Sequence, residues 1–150
     1  VFTWRARDDR DASWNARFAG KEAGCLNPSN GYVYVCWNFK QMRAHRLAWF
    51  YVHGVWPLQV DHIDLDRSNN QLRNLRESTQ SQNRANSPRP VTNTSGVKGV
   101  RFLHDRGKWR ADIRVDGRKK FLGNFDSRDE AAMVYAAAAR QHFGEFARVD

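Results

Sequence analysis

The chain has 150 residues, a formal net charge of +9 and a sequence pI near 10.2. That length allows one ordinary domain or two small ones, and the basic charge, spread along the chain, suits a polyanionic partner. No run of about 18 apolar residues exists to cross a membrane, and the first residues lack the apolar core of a signal peptide, so a cytoplasmic protein with no membrane partner is expected. Cys25 and Cys36 are the only cysteines. With no Cys-x-x-Cys, neither a disulfide framework nor a structural zinc is expected, and two buried, reduced thiols are the simplest reading.

Residues 1–43 read as short strands. Phe2 and Trp4 alternate with polar neighbours, Asn30-Gly31 marks a turn, and the β-branched and aromatic run from Tyr32 to Trp37 reads as a buried strand. Trp4, Trp14 and Trp37 read as core packing. From His45 the pattern turns helical and stops at Gly54, with Pro57 beyond.

Residues 60–86 concentrate polar chemistry. An apolar run meets an Asp61-His62-Ile63-Asp64 corner, a turn-rich Asp66-Arg67-Ser68-Asn69-Asn70 follows, and the chain returns through Leu72, Asn74, Leu75 and Arg76. A polar, helix-compatible segment then starts near Thr79. The sequence is strand, long hairpin loop, short strand, helix.

Residues 86–95, with Pro88 and Pro90 among small polar residues, read as a semi-extended linker. Beyond it, residues 97–103, 108–116 and 119–125 read as three strands joined by turns at Asp105-Arg106-Gly107 and Asp116-Gly117. In the middle strand Trp109, Ala111, Ile113 and Val115 alternate with Arg110, Asp112, Arg114 and Asp116, giving one apolar and one charged face. Ser127-x-x-Glu130 opens a helix that Gly144 closes. Ala132, Tyr135, Ala136, Ala139 and Phe143 form its apolar stripe.

The Asp61-His62 pair, the Asn74-Leu75-Arg76 return and the Gln80-Ser81-Gln82-Asn83 helix resemble, in order and spacing, the HNH endonucleases of the phage and group I intron homing branch. His45-Arg46-Leu47-Ala48-Trp49 is similar to a block that precedes that core. Gly99-Val100-Arg101, Gly107-Lys108-Trp109, Asp112-Ile113-Arg114, Leu122-Gly123-Asn124-Phe125 and Glu130-Ala131-Ala132 with Tyr135 resemble the APETALA/ethylene-response-factor (ERF) type DNA-binding domain. Together these resemblances imply an α+β chain: a ββα-metal nuclease domain with a β-rich N-terminal segment over 1–86, a linker over 87–95, and a three-stranded antiparallel sheet packed on one helix over 96–150. Related phage sequences carry a few residues before a Phe-x-Trp strand like Phe2-Trp4, which implies a trimmed N-terminus.

Phosphodiester hydrolysis needs an activated water, neutralised phosphate charge and help for the leaving 3′ oxygen. An imidazole with an ordinary pKa near 6.5 can accept a proton at neutral pH, which suits His62 as general base. Asp61 and the Asn83 carbonyl offer the hard oxygens that Mg²⁺ or Mn²⁺ takes. The resemblance assigns Asn74 to fixing the loop and implies a single Mg²⁺-type ion, because the third signature position is Asn rather than His. Asp64 and Asp66 read as solvated loop carboxylates. Arg46, Arg76 and Arg84 are candidates for DNA phosphates. Lys98, Arg101, Arg110, Arg114, Lys119 and Phe121 take the positions that contact duplex DNA in the second family, and Arg110 and Arg114 at period two support a DNA-facing sheet by themselves. The expected protein is a strand-nicking, homing-type endonuclease, a monomer or transient dimer in a bacterial or phage-infected cell. The alternative is a DNA-binding regulator with an inactive core.

Overall fold

The computed structural model describes residues 2–37 and 39–149. The fold is α+β, with small antiparallel sheets, and the chain divides into two compact units, Val1–Glu77 and Ser78–Asp150.

In the first unit, α1 (Ala12–Phe18) is followed by strands β1 (Cys25–Leu26), β2 (Val33–Trp37) and β3 (Lys40–Arg43), which form one antiparallel sheet in that order. The helix corrects the all-strand expectation for this region. Its signal is the Asp11 side chain, which accepts a hydrogen bond from the Trp14 amide and caps the first turn. Trp14 then packs edge-on against Trp4 at 5.9 Å. The sheet buries Ala23 and Val35 with Ala44, and Phe2, Trp4, Val33 and Leu47 pack around them. Strand β2 is thus buried on one face only. Cys25 lies opposite Tyr34, and Cys36 follows Tyr34 at period two, so both thiols fall on the other face. They are free and exposed, which overturns the expectation that they are buried.

Helix α2 (Ala44–His53) follows β3 directly and ends as expected, on Gly54 at φ 72°. It packs against β2, β3 and β4 (Val60–His62). Strand β4 pairs antiparallel with β5 (Leu75–Glu77), setting Asp61 opposite Arg76 and His62 opposite Leu75. The loop between them closes through a 3₁₀ turn, Leu72–Asn74.

The second unit begins with α3 (Gln80–Asn86), so β4, β5 and α3 follow one another in ββα order. Thr79 and Gln82 form a full capping box at the start of α3, the Thr79 hydroxyl accepting from the Gln82 amide and the Gln82 side chain accepting from the Thr79 amide. Ala85 packs into the unit's core with Val100, Ala111, Ile113, Tyr135 and Phe143. This packing accounts for the division at 77/78, ahead of the irregular 87–95 segment where composition alone puts a boundary.

Strands β6 (Val100–Leu103), β7 (Lys108–Val115) and β8 (Arg118–Phe125) form the expected three-stranded sheet, with α4 (Arg128–Phe143) on its apolar face. Ser127 caps α4 by accepting from the Glu130 amide. Gly99, at φ 74°, lets the chain pass Tyr135: a Cβ there would sit 2.1 Å from the ring and 2.7 Å from the Asp112 carbonyl oxygen. No described helix is long and apolar enough to cross a membrane.

Candidate active site and nucleic-acid interface

The β4–β5 hairpin buries its polar residues. Asp61, His62 and Asn74 are each less than a tenth exposed. Burial of this kind is costly unless the groups are bonded, and here they are. The Asn74 carboxamide donates to Asp64 Oδ1 and to the Asn69 carbonyl oxygen, each at 2.8 Å, and accepts from the Asp64 amide at 3.1 Å. One side chain thereby spans the loop that follows His62.

Asp64 and Asp66 do more than face solvent. Asp64 accepts from the Asp66 amide and from the Asn69 side chain, and Asp66 accepts from the amide and hydroxyl of Ser68. Burial works to raise the Asp64 pKa, but the bonds from Asn69 and Asn74 outweigh it and hold the carboxyl below its ordinary value. The loop is a chain of Asx turns built by residues whose types, Asp, Ser and Asn, favour such bonds.

Adjacent strand residues point to opposite faces, and the neighbours of Asp61 and His62 differ accordingly. Asp61 Oδ2 takes Arg76 Nε at 3.0 Å and a terminal guanidinium nitrogen at 2.9 Å. His62 Nε2 lies 3.1 Å from Asn70 Oδ1. A carboxamide oxygen only accepts, so this contact is a hydrogen bond when Nε2 carries a proton. Asn70, which sequence reasoning left as a turn residue, is thus the side chain that meets the His62 ring nitrogen. Its only signal in the sequence is the Asn69-Asn70 pair within reach of the histidine.

The His62 ring also meets His45 edge-on, with centroids 4.8 Å apart, and lies 6.1 Å from Tyr32, which itself lies 5.2 Å from His45. His45 is buried, and its Nδ1 has no hydrogen-bond partner. Burial first, then the charges of His62, Arg43 and Arg46, push its pKa down to about 3. His45 is a neutral imidazole at physiological pH.

Asn83 sits on α3, in the second unit. No three His, Cys, Asp or Glu side chains cluster as a metal cage among the described residues. The donors present are one buried carboxylate, an imidazole and carboxamides. This set fits a hard cation that keeps water and phosphate oxygens in its shell better than it fits a closed zinc site.

The other basic candidates separate into committed and outward-facing groups. Arg46 donates to the carbonyl oxygens of Pro57 at 2.9 Å and Leu58 at 3.1 Å, clasping the segment after α2. Lys98 Nζ donates to the carbonyls of Ala85 and Ser87, each at 2.6 Å, and to Arg84 at 3.4 Å. It tops the C-terminal end of α3 rather than standing among the sheet residues, because helix carbonyls left without amide partners attract a cation there. Arg84 is exposed.

On β6–β8 the outer face carries Arg101, Arg110, Asp112, Arg114, Lys119 and Phe121. Arg101 lies directly opposite Arg110, and Arg114 directly opposite Lys119. Like charges so placed destabilise a free sheet. Asp112 relieves part of this, with the Arg110 guanidinium on both its oxygens at 3.0–3.1 Å and Lys119 at 3.1 Å. Burial would raise the Asp112 pKa, yet these two cations hold it below the ordinary value. Arg110 also lies over the Phe121 ring at 4.7 Å, and Phe121 is more than half exposed.

Comparison with known proteins matches this arrangement to a family. An HNH endonuclease family model covers residues 42–85, from β3 to α3. Protein 3.8 of Escherichia phage T7 is 35% identical over 112 residues, which are 73% of this chain and 92% of that protein. The uncharacterized HNH endonuclease L560 of Acanthamoeba polyphaga mimivirus is 32% identical over 121 residues, which are 79% of this chain and 62% of that protein. No solved structure matches. Residues 42–85 thus form an HNH endonuclease domain, the module of a class of nucleases that hydrolyse DNA.

Proposed function

We propose that the chain is a strand-nicking endonuclease of the homing type, in which His62 is the general base and the β6–β8 sheet holds duplex DNA. The observation that carries the reading is the His62–Asn70 contact at 3.1 Å, inside the residues matched to the family. With the ring held by Asn70, His62 takes the proton from the attacking water. Asn74 keeps the loop, and with it Asn70, in register. Tyr32 and His45 wall the ring on its buried side.

Asp61, on β4, would offer a hard oxygen to a single Mg²⁺- or Mn²⁺-type ion, and the family resemblance implies Asn83 as a further ligand. Such an ion, when bound, neutralises charge on the scissile phosphate and its leaving oxygen. Arg76 holds the Asp61 carboxylate in one orientation. Arg101, Arg110, Arg114, Lys119 and Phe121 face a major groove as a basic sheet, the arrangement that the APETALA/ERF resemblance implies, and Arg84 meets a flanking phosphate. One core per chain makes a single-strand cut the simplest product. A double-strand break requires a transient dimer or two successive nicks.

Supercoiled plasmid incubated with Mg²⁺, with EDTA and with the His62→Ala protein tests this. Open-circular product that requires the ion and vanishes in the variant is the expected result. Linear product from the first time points would replace nicking by paired cutting. Wild type and variant equally inert on many DNAs would favour the regulator reading.

A further inference from the structure

Two arginines that none of the roles above uses lie against the same ring beside His62. The Arg43 guanidinium carbon sits 4.5 Å from the Tyr32 ring centroid, and that of Arg67 sits 5.0 Å from it. Tyr32 in turn contacts both histidines. Each arginine is further tied in place. Arg67 donates to the Asn30 carbonyl oxygen at 3.0 Å, and Arg43 bonds the Tyr34 hydroxyl, pulling that phenol's pKa down.

Neither guanidinium has a carboxylate partner among the described residues, whereas Arg7, Arg76 and Arg110 each do. The two carboxylates nearest Arg67 in sequence, Asp64 and Asp66, accept from loop amides and side chains instead. Two unneutralised cations on one ring repel. Cation–π attraction at exposed sites offsets this only weakly, so an anion completes the arrangement.

The backbone points the same way. Arg43 is the N-cap of α2, its side chain makes no capping bond, and the first turn holds no acidic residue. No side-chain cap and no acidic residue offset the positive end of the helix dipole there, which favours an anion. His45, the second residue of the helix, is buried with an unpartnered Nδ1. Besides burial, the guanidinium charges of Arg43 and Arg46 help to lower its pKa.

We infer that Arg43 and Arg67, stacked on Tyr32 at the uncapped start of α2, form a binding site for a backbone phosphate of the DNA strand presented to His62. The planar fork of arginine suits a phosphate's oxygens, and its position beside His62 selects a phosphate at or next to the cleaved bond. This site deepens the nuclease reading and rests on it.

The test uses the full chain without divalent ion, so that binding is measured apart from chemistry. Affinity for a random-sequence 30-bp duplex is measured by fluorescence anisotropy across a salt series for wild type, Arg43→Gln, Arg67→Gln and the double variant. Losing one phosphate contact should flatten the log–log salt slope by about 1 and weaken binding roughly 10-fold near physiological salt. The melting temperature should hold or rise, since a like-charge pair is removed. An unchanged slope and affinity in the double variant would overturn the site. So would a fall in melting temperature with the slope intact, which would make the arginines structural. His62→Ala run in the plasmid assay separates the two ideas: a His62→Ala protein that still nicks refutes the base assignment but leaves the slope result standing.

Discussion

The β4–β5 hairpin and the β6–β8 sheet are both small antiparallel assemblies, yet they treat polar side chains in opposite ways. The hairpin buries Asp61, His62 and Asn74 and satisfies them with neighbours a few residues away. The sheet leaves most of its charges on an outer face, and sets two pairs of like charges across its strands. A protein accepts the desolvation cost of buried polar groups where reacting atoms must be held in one geometry. It accepts repulsion on an exposed face where a polyanion will later supply the missing charge. On the proposed function, this contrast separates the chemistry from the grip on DNA.

Breaking the buried half should have the larger effect. Asn74→Ala removes three hydrogen bonds that span the loop after His62. At about 1 kcal/mol each, the loss in stability should be about 2–3 kcal/mol, read from urea unfolding. Cleavage should fall with it even below the new melting temperature, because Asn70 loses its support. An Asn74→Ala protein that cuts like wild type would detach the loop from catalysis.

Damage to the exposed half should be milder and of a different kind. Arg101→Ala or Arg114→Ala should weaken duplex binding by about 1–2 kcal/mol, with a shallower salt dependence. The melting temperature should not drop, since each variant removes one member of a like-charge pair. Salt-independent binding of the wild type would argue against this face as the interface.

Much of this division is legible in the sequence. The alternation of Trp109, Ala111, Ile113 and Val115 with Arg110, Asp112 and Arg114 carries the sheet's two faces, because a period of two is read directly from residue types. The Asp61-His62, Asn74 and Asn83 spacing carries the order β4, β5, α3. What the sequence hides is pairing. Lys98 falls in a segment that reads as strand but spends its ammonium on α3 carbonyls, and Arg43 and Arg67, 24 positions apart, meet only because both lie on Tyr32. Helix α1 was masked by the alternating aromatics around it, although Asp11 caps it. The exposed Cys25 and Cys36 follow from a register that composition does not reveal.

The smallest effect sharpens the contrast from inside the buried half. His45 has a folded-state pKa of about 3 against an ordinary value of 6.5. Between these values the unfolded chain binds the proton and the folded chain does not. Stability from this group is therefore full above about pH 6.5 and declines as the pH falls toward 3, at most by about 1.4 kcal/mol per pH unit. His45→Phe removes that dependence and the unpartnered nitrogen while keeping a ring against His62. Its melting temperature should exceed that of wild type by more at pH 5 than at pH 7.5. An equal difference at both values would mean that His45 titrates normally.

The most direct test of the division compares metal-free DNA binding with metal-dependent cleavage at saturating DNA for wild type, His62→Ala and Arg114→Ala. The account predicts that His62→Ala binds as wild type does but cleaves at least about 100-fold more slowly, and that Arg114→Ala binds more weakly but cleaves at the wild-type rate once saturated. Parallel loss of binding and cleavage in both variants would contradict it, because the buried corner and the exposed sheet would then be doing one job.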